Sequence, residues 1–321
     1  MSETESLHFQ SISFAGLVPG VRLIVLGAVH GNETCGTQAI RRVIAEIESG
    51  RLGIANGSVT FVPVTNPLAY ARHRRMGDRN LNRNLAPTAT PLEFEDRIAN
   101  WLCPLLAQHD ALLDLHSFHT AGEPFVMLGP QDNNGTLEPF ARAAEETALA
   151  LRLGVHRFVD GWLDTYAAGV ARRLAAGVSA READVHYGVG TTEYMRAQGG
   201  IALTLECGQH DDPAAPAVAY RALYNTLAHL GLTTADAAED PPPVTATEAL
   251  RLYRVIDRTH SDDTFTRGWS SFDRVRAGET IGTRHDGTPV TADRDGYIVF
   301  PNPGALPGQE WFYLASPSTR M

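Results

Sequence analysis

Lysine is absent from this sequence: all 27 basic residues are arginine. Pyridoxal-phosphate Schiff-base chemistry, a Walker-type phosphate loop and a protein-kinase site each need a lysine amine, so all three are excluded. Any fixed positive charge at a site is instead a planar guanidinium fork, suited to carboxylates. Cysteine is scarce too. Cys35, Cys103 and Cys207 form neither a disulfide framework nor a paired zinc motif. No apolar run approaches the roughly 20 residues needed to span a bilayer. Met1 to Gln10 is polar and acidic, without the basic-then-apolar layout of a signal peptide. A net charge of −10 argues against broad attraction to nucleic acid or an anionic membrane. The expected location is a reducing cytoplasm.

What is present is organised around Gly27 to Gly36. The apolar run Val21 to Leu26 before it reads as a buried strand, and Ala39-Ile40, Val43-Ile44 and Ile47 after it recur at helical spacing. His30 and Glu33 therefore sit where a strand hands over to a helix, spaced so that both side chains can face one way. Further strands are predicted at 58–64, 111–115, 124–128 and 201–205. Asn66-Pro67 ends the first of these. Helices are predicted from Pro91 through Leu106, around Leu137 to Leu151, and from Pro213–Pro216 to about Leu230. Residues 153–198 mix short helical and loop signals. Apolar strands alternating with helices predict an α/β fold, a mixed and mainly parallel sheet with flanking helices.

Ligands in such sheets bind beyond the strand ends, and His30, His116 and Glu206 each fall just past a predicted strand. A proline-rich linker spans Thr233 to Thr247. Beyond it come a strand at 250–256, hairpin turn signals at Asp286-Gly287 and Asp295-Gly296, and short strands at 297–300 and 311–314. The chain length suits one large core plus a smaller unit, so the expected division is a catalytic domain over 1–235 and a small all-β domain over 244–321.

Zinc hydrolysis needs three protein ligands and an open position for water, whose pKa the metal lowers to about 7. His30, Glu33 and His116 would supply two imidazoles and a carboxylate. Alone, the His-x-x-Glu pair also reads as a helix start with Glu33 facing the dipole. The second strand-end histidine, in Asp114-Leu115-His116-Ser117, favours the metal; His119 is the nearest competitor for the third position. Glu206 closes a strand of apolar residues and reads either as a general base or as an ion-pair partner of an arginine. The loop from Arg72 to Asn84 reads as a nucleic-acid patch, a solvated charge run, or an anion site where arginine forks grip a carboxylate and an oxyanion. Acidity and the lack of interleaved aromatics disfavour the first.

His30-Gly31-Asn32-Glu33, then Arg75…Asn82-Arg83, then Asp114-Leu115-His116-Ser117, then Leu205-Glu206-Cys207-Gly208 follow one another in the order of one family. Over roughly residues 20 to 230 the chain resembles the succinylglutamate desuccinylase/aspartoacylase family of the zinc carboxypeptidase-like superfamily. The resemblance implies one Zn²⁺ per chain on His30, Glu33 and His116, with Glu206 as general base. It implies that Arg75 polarises the scissile carbonyl, that Asn82 and Arg83 hold a substrate carboxylate, and that Arg196 binds a second one. It also places the small β domain near the active-site entrance. Two positions depart from the pattern: Asn80 stands where aspartoacylase-like sequences carry Asp, and Thr192 where aspartoacylase carries a tyrosine, with Tyr194 close by.

The expected function is a zinc-dependent amidohydrolase that removes an acyl group from an N-acyl amino acid or a similar small carboxylate-bearing amide. The rivals are a zinc carboxypeptidase acting on peptides and a catalytically silent ligand-binding relative. A phosphate-cradling loop at Gly27 to Gly36 is disfavoured, because its glycines do not form a dinucleotide fingerprint. The expected partner is a small-molecule substrate, with no nucleic acid and no membrane; a homo-oligomer is left open.

Overall fold

A computed structural model of the chain describes residues 7–175, 177, 184–233, 243, 245 and 247–321. The strands in chain order are β1 (Ile12–Ala15), β2 (Val18–Gly27), β3 (Asn56–Val62), β4 (Ala111–Phe118), β5 (Phe125–Met127), β6 (Arg157–Asp160), β7 (Ile201–Gln209), β8 (Glu248–Asp257), β9 (Thr264–Phe265), β10 (Arg274–Val275), β11 (Thr280–Thr283), β12 (Pro289–Thr291), β13 (Gly296–Val299) and β14 (Glu310–Pro317). The helices are α1 (Cys35–Glu48), α2 (Pro67–Ala71), α3 (Phe94–Leu106), α4 (Ala143–Ala150), α5 (Trp162–Ala175), α6 (Thr191–Ala197) and α7 (Ala215–His229).

Eleven strands form one sheet in the order β1-β3-β2-β4-β7-β5-β6-β8-β14-β13-β10. β3, β2, β4 and β7 run parallel; β5, β6 and β8 form a second parallel run, antiparallel to the first where β5 meets β7; and the pairings at both ends of the sheet are antiparallel. The fold is a mixed α/β sheet covered by helices. Alternation along β2 decides what each face meets. Leu23 and Val25 pack with Ile40 and Val43 of α1 and Leu223 of α7, whereas Ile24 and Leu26 pack with Ile98 and Leu102 of α3 and Met195 of α6. A central strand buried on both faces must be apolar throughout. β4 is buried at every position, so its Asp114, His116 and Ser117 stand out as polar groups that need a reason.

Several expectations shift. β4 and β7 run on to Phe118 and Gln209, so His116 and Glu206 lie within strands rather than just past them. Asn66 does more than end a strand: its Oδ1 accepts from Ala69 N at 3.1 Å and caps α2, with Pro67 at the first helical position. The helix expected from Leu137 begins only at Ala143, because Phe140 is held in a bridge with Asn133. Within the mixed region 153–198 the described residues include β6, α5, a short 3-10 turn at Val185–Gly188 and α6.

Most of the expected linker lies outside the described residues. Beyond it, the described residues from 248 onward hold strands and no helix, and β8 pairs in parallel with β6, so β8, β14, β13 and β10 continue the main sheet. The Asp286-Gly287 turn joins the paired strands β11 and β12. Asp295-Gly296 closes no hairpin: β12 belongs to a separate three-stranded sheet, and Asp295 instead accepts from Ala277 N at 2.8 Å as the chain crosses between sheets.

Candidate metal centre and active site

The turn after β2 is built by backbone constraint. Ala28 is fully buried with φ 47°, in the left-handed region that side-chain-bearing residues rarely enter. Gly27 O and Ala28 O are held by Thr65 N and Asn66 N at 2.9 and 3.0 Å. Gly31 has no alternative, since a Cβ there would lie 2.0 Å from the Ala69 carbonyl carbon. This geometry turns His30 and Glu33 toward β4.

His30 Nδ1 lies 2.9 Å from Glu33 Oε1, and His116 Nδ1 lies 2.8 Å from Glu33 Oε2. All three side chains are buried, and their ligand atoms lie within 4.8 Å of one another. Burial pushes the His30 imidazolium down to about 4, with Arg75 assisting, so the ring is neutral near pH 7. Burial would do the same to His116, but Asp114 and Glu33 hold it well above its ordinary value. Burial would raise the Glu33 carboxyl, yet the two histidines hold it well below the usual range. A carboxylate between two convergent imidazoles is a donor set that fits a divalent ion of zinc's type, so these residues could hold a metal. The outer partners differ. His116 Nε2 lies 2.9 Å from Asp114 Oδ2 outside hydrogen-bond alignment, and Thr191 Oγ1 donates to the same oxygen at 2.5 Å. His30 Nε2 lies 3.0 Å from Asn80 Oδ1.

Glu206 pairs in register with His116 across β7 and β4. Its Oε2 is buried without a hydrogen-bond partner, and burial pushes its carboxyl up to about 8, with His116 opposing and Glu33 reinforcing. A strand-borne carboxylate with one unengaged oxygen beside the cluster can take and return a proton. Arg75 NH1 donates to Glu33 Oε1 at 2.9 Å and faces His30 Nδ1 at 3.3 Å.

The loop carrying Arg75 is organised by one buried residue. Glu95 of α3 accepts from the backbone N–H groups of Gly77, Asp78 and Arg79 at 2.9, 3.1 and 3.1 Å, and from Asn66 Nδ2 at 2.8 Å. Asn82 Oδ1 accepts from Thr191 N at 2.9 Å. Arg83 donates to Asn82 O at 2.8 Å, lies 4.7 Å over the Trp162 ring and pairs loosely with Glu310 Oε1 at 3.5 Å.

A cavity of about 420 Å³ is lined by His30, His116, Glu206, Arg75, Asn82 and Arg83 together with the rings of Phe118, Trp162, Tyr187, Phe300 and Tyr313. Arg196 also borders it, but the expectation of a carboxylate-binding fork meets a different arrangement. Its Nε donates to Glu146 at 2.8 Å, NH1 to Glu138 at 2.9 Å and NH2 to Ala202 O at 2.7 Å. The fully buried Glu146 and the half-buried Glu138 and Glu193 surround Arg196 and absorb its charge. His119 lies outside the ligand cluster, its ring 4.8 Å from that of His210.

Sequence reasoning assigned no role to Asp114, Thr191, Glu95 or Glu310. Asp114 had a usable signal, sitting two residues before His116 on the same strand face. Glu310, 227 residues from Arg83, had none.

Comparison with known proteins bears on this arrangement. Residues 19–212 match the family model described as the succinylglutamate desuccinylase/aspartoacylase catalytic domain. A curated relative, the N-acyl-aromatic-L-amino acid amidohydrolase (carboxylate-forming) of Rattus norvegicus, is 38% identical over 112 residues, which cover 31% of this chain and 34% of that protein. The chain thus spans about a third of the length of the curated relative it matches. A succinylglutamate desuccinylase/aspartoacylase structure from Rhodobacter sphaeroides superposes with a TM-score of 0.70 at 19% identity, covering 97% of this chain and 90% of that one. The ectoine utilization protein EutE (DoeB) from Ruegeria pomeroyi, in a product-bound structure, gives 0.67 at 19% identity over 95% and 88%. These two likenesses show a shared fold, and the family match covers most of the sheet that carries the cluster: the chain belongs to the succinylglutamate desuccinylase/aspartoacylase family.

Proposed function

We propose that the protein is a zinc-dependent amidohydrolase that removes an acyl group from an N-acyl amino acid or a similar small carboxylate-bearing amide. The observation that carries this reading is the cluster of His30, Glu33 and His116, of which the two histidines line one cavity together with Glu206. His30, Glu33 and His116 would hold the ion, which when bound lowers the pKa of water and polarises a carbonyl as a Lewis acid. Glu206 takes a proton from the attacking water as its oxygen bonds to the acyl carbon. Arg75 stabilises the negative charge developing on the carbonyl oxygen. Glu206 then delivers that proton to the departing nitrogen as the C–N bond breaks, and the proton left on the new acid passes to the released amine, leaving a carboxylate and an ammonium.

Asn82 and Arg83 would anchor the substrate carboxylate, since the loose Glu310 contact leaves an edge of the Arg83 fork for a second acceptor. Arg196 is given no part in binding, being engaged by Glu146 and Glu138. The aromatic wall of Phe118, Trp162, Phe300 and Tyr313 supports a sizeable apolar acyl or side-chain group, which accords with the aromatic substrates named for the rat relative. Residues 244–321 are proposed as a β unit at the entrance, contributing Phe300, Glu310 and Tyr313 to the cavity.

The test is a panel of N-acyl amino acids, aromatic and acidic, with zinc-loaded and chelator-treated protein, measuring release of free amino acid. Zinc-dependent release supports the reading. Bound zinc with no release from any member would favour the silent ligand-binding relative, and release of C-terminal residues from peptides alone would favour the carboxypeptidase.

A further inference from the structure

Asn80, one of the two departures from the pattern that the sequence resembles, touches a member of the metal cluster. Its Oδ1 accepts from the backbone N–H of Asn82 at 2.9 Å. A backbone N–H only donates, so the atom facing it is the amide oxygen. The same oxygen lies 3.0 Å from His30 Nε2, which must therefore carry the proton. A neutral ring protonated at Nε2 presents its lone pair at Nδ1, the nitrogen that faces Glu33 Oε1 at 2.9 Å and Arg75 NH1 at 3.3 Å. One amide oxygen thus selects the ligating tautomer of His30 and ties that ring to the loop carrying Asn82 and Arg83.

The two histidines are not equivalent. His116 is backed by the carboxylate of Asp114 at 2.9 Å, His30 by a neutral amide. A carboxylate behind an imidazole raises its basicity as a ligand and fixes its orientation; an amide oxygen fixes the orientation while adding no charge.

We propose that Asn80 is a positioning residue of the metal centre: it locks His30 in the Nε2–H tautomer and, being uncharged, leaves the ion less tightly held than an aspartate there would. This rests on the metal-centre reading above. It is tested by zinc affinity, measured on the full chain by competition with a chromogenic chelator, for the wild type, Asn80→Ala and Asn80→Asp, alongside the melting temperature of each metal-free protein. Loss of the oxygen in Asn80→Ala should weaken zinc about 10- to 100-fold. Asn80→Asp keeps both accepted hydrogen bonds and adds charge, so it should bind zinc several-fold more tightly than the wild type. Damage to the fold would weaken both variants, whereas opposite shifts at matched melting temperatures identify the tautomer lock. Zinc affinity of Asn80→Ala within twofold of the wild type, or no gain in Asn80→Asp, would overturn the proposal while leaving the metal centre intact. A wild type that binds no zinc would overturn both.

Discussion

His116 and Glu206 sit opposite one another on adjacent parallel strands, β4 and β7, at matched positions of the ladder. Side chains paired this way project to the same face. Their surroundings differ: His116 Nδ1 meets Glu33 Oε2 at 2.8 Å, whereas Glu206 Oε2 is buried without a hydrogen-bond partner. Glu206→Gln preserves shape and removes the proton acceptor. Zinc content should stay at that of the wild type, while turnover falls by about 10²- to 10⁴-fold, the usual share of a general base. Loss of zinc in the same variant would instead make Glu206 a ligand.

Arg196 offers a test in which two roles predict different observables. Its guanidinium lies among Glu138, Glu146 and Glu193, with Glu146 fully buried. Removing one partner of a buried ion pair costs about 3–5 kcal/mol because the other charge is left uncompensated. Arg196→Met should therefore lower the melting temperature by several degrees or more, with KM changed little in the folded fraction. A large rise in KM at an unchanged melting temperature would restore Arg196 as a substrate-binding fork.

The same residue shows where the sequence was legible and where it was not. Val21 to Leu26 and Ala111 to Leu115 announced themselves as apolar runs, and the polar groups ending those runs pointed to the cluster of His30, Glu33 and His116. That logic works because burial on both sheet faces leaves a polar residue there with few reasons to exist. It fails where the partner is distant in sequence. Arg196 was given a carboxylate-binding role by resemblance alone, and two of the acids it meets, Glu138 and Glu146, lie some 50 residues earlier in the chain. Arg83 met Glu310 only because β14 joins the main sheet through β8 and β6, a pairing that local periodicity does not encode. The extra residues of β4 and β7 escaped because His116 and Glu206, charged or polar, broke the apolar pattern inside strands that continue past them.

Glu95 anchors the arginine-bearing loop from beneath. It is fully buried, and its two oxygens receive three backbone N–H groups and the Asn66 amide. Glu95→Ala would leave these donors without acceptors, at a cost of roughly 1–3 kcal/mol for each that water does not reach. A loss on the order of 3 kcal/mol or more is expected in urea unfolding, together with reduced turnover, because the loop carries Arg75. Glu95→Gln keeps an acceptor oxygen and should lose less. Equal stability of Glu95→Ala and the wild type would mean that the loop is ordered by other contacts.

The C-terminal strands supply a pH-dependent prediction remote from the cavity. Asp263 is buried, and burial alone would raise its carboxyl; hydrogen bonds from Thr259 N and His285 N at 2.8 and 2.9 Å, with Arg284 NH1 at 2.8 Å, hold it well below the usual carboxylate range instead. A carboxyl whose folded value is depressed stabilises the fold above its unfolded value of about 3.9, and that contribution disappears as the pH falls through the folded value. Asp263→Asn lacks the charge at every pH. The stability difference between wild type and variant should therefore be constant from about pH 5 to 8 and shrink steadily below about pH 4. Denaturant unfolding across that range reads it directly. A difference that stays flat to pH 3 would show that the buried carboxylate contributes no titratable stability, and that shape and hydrogen-bond count alone hold this turn.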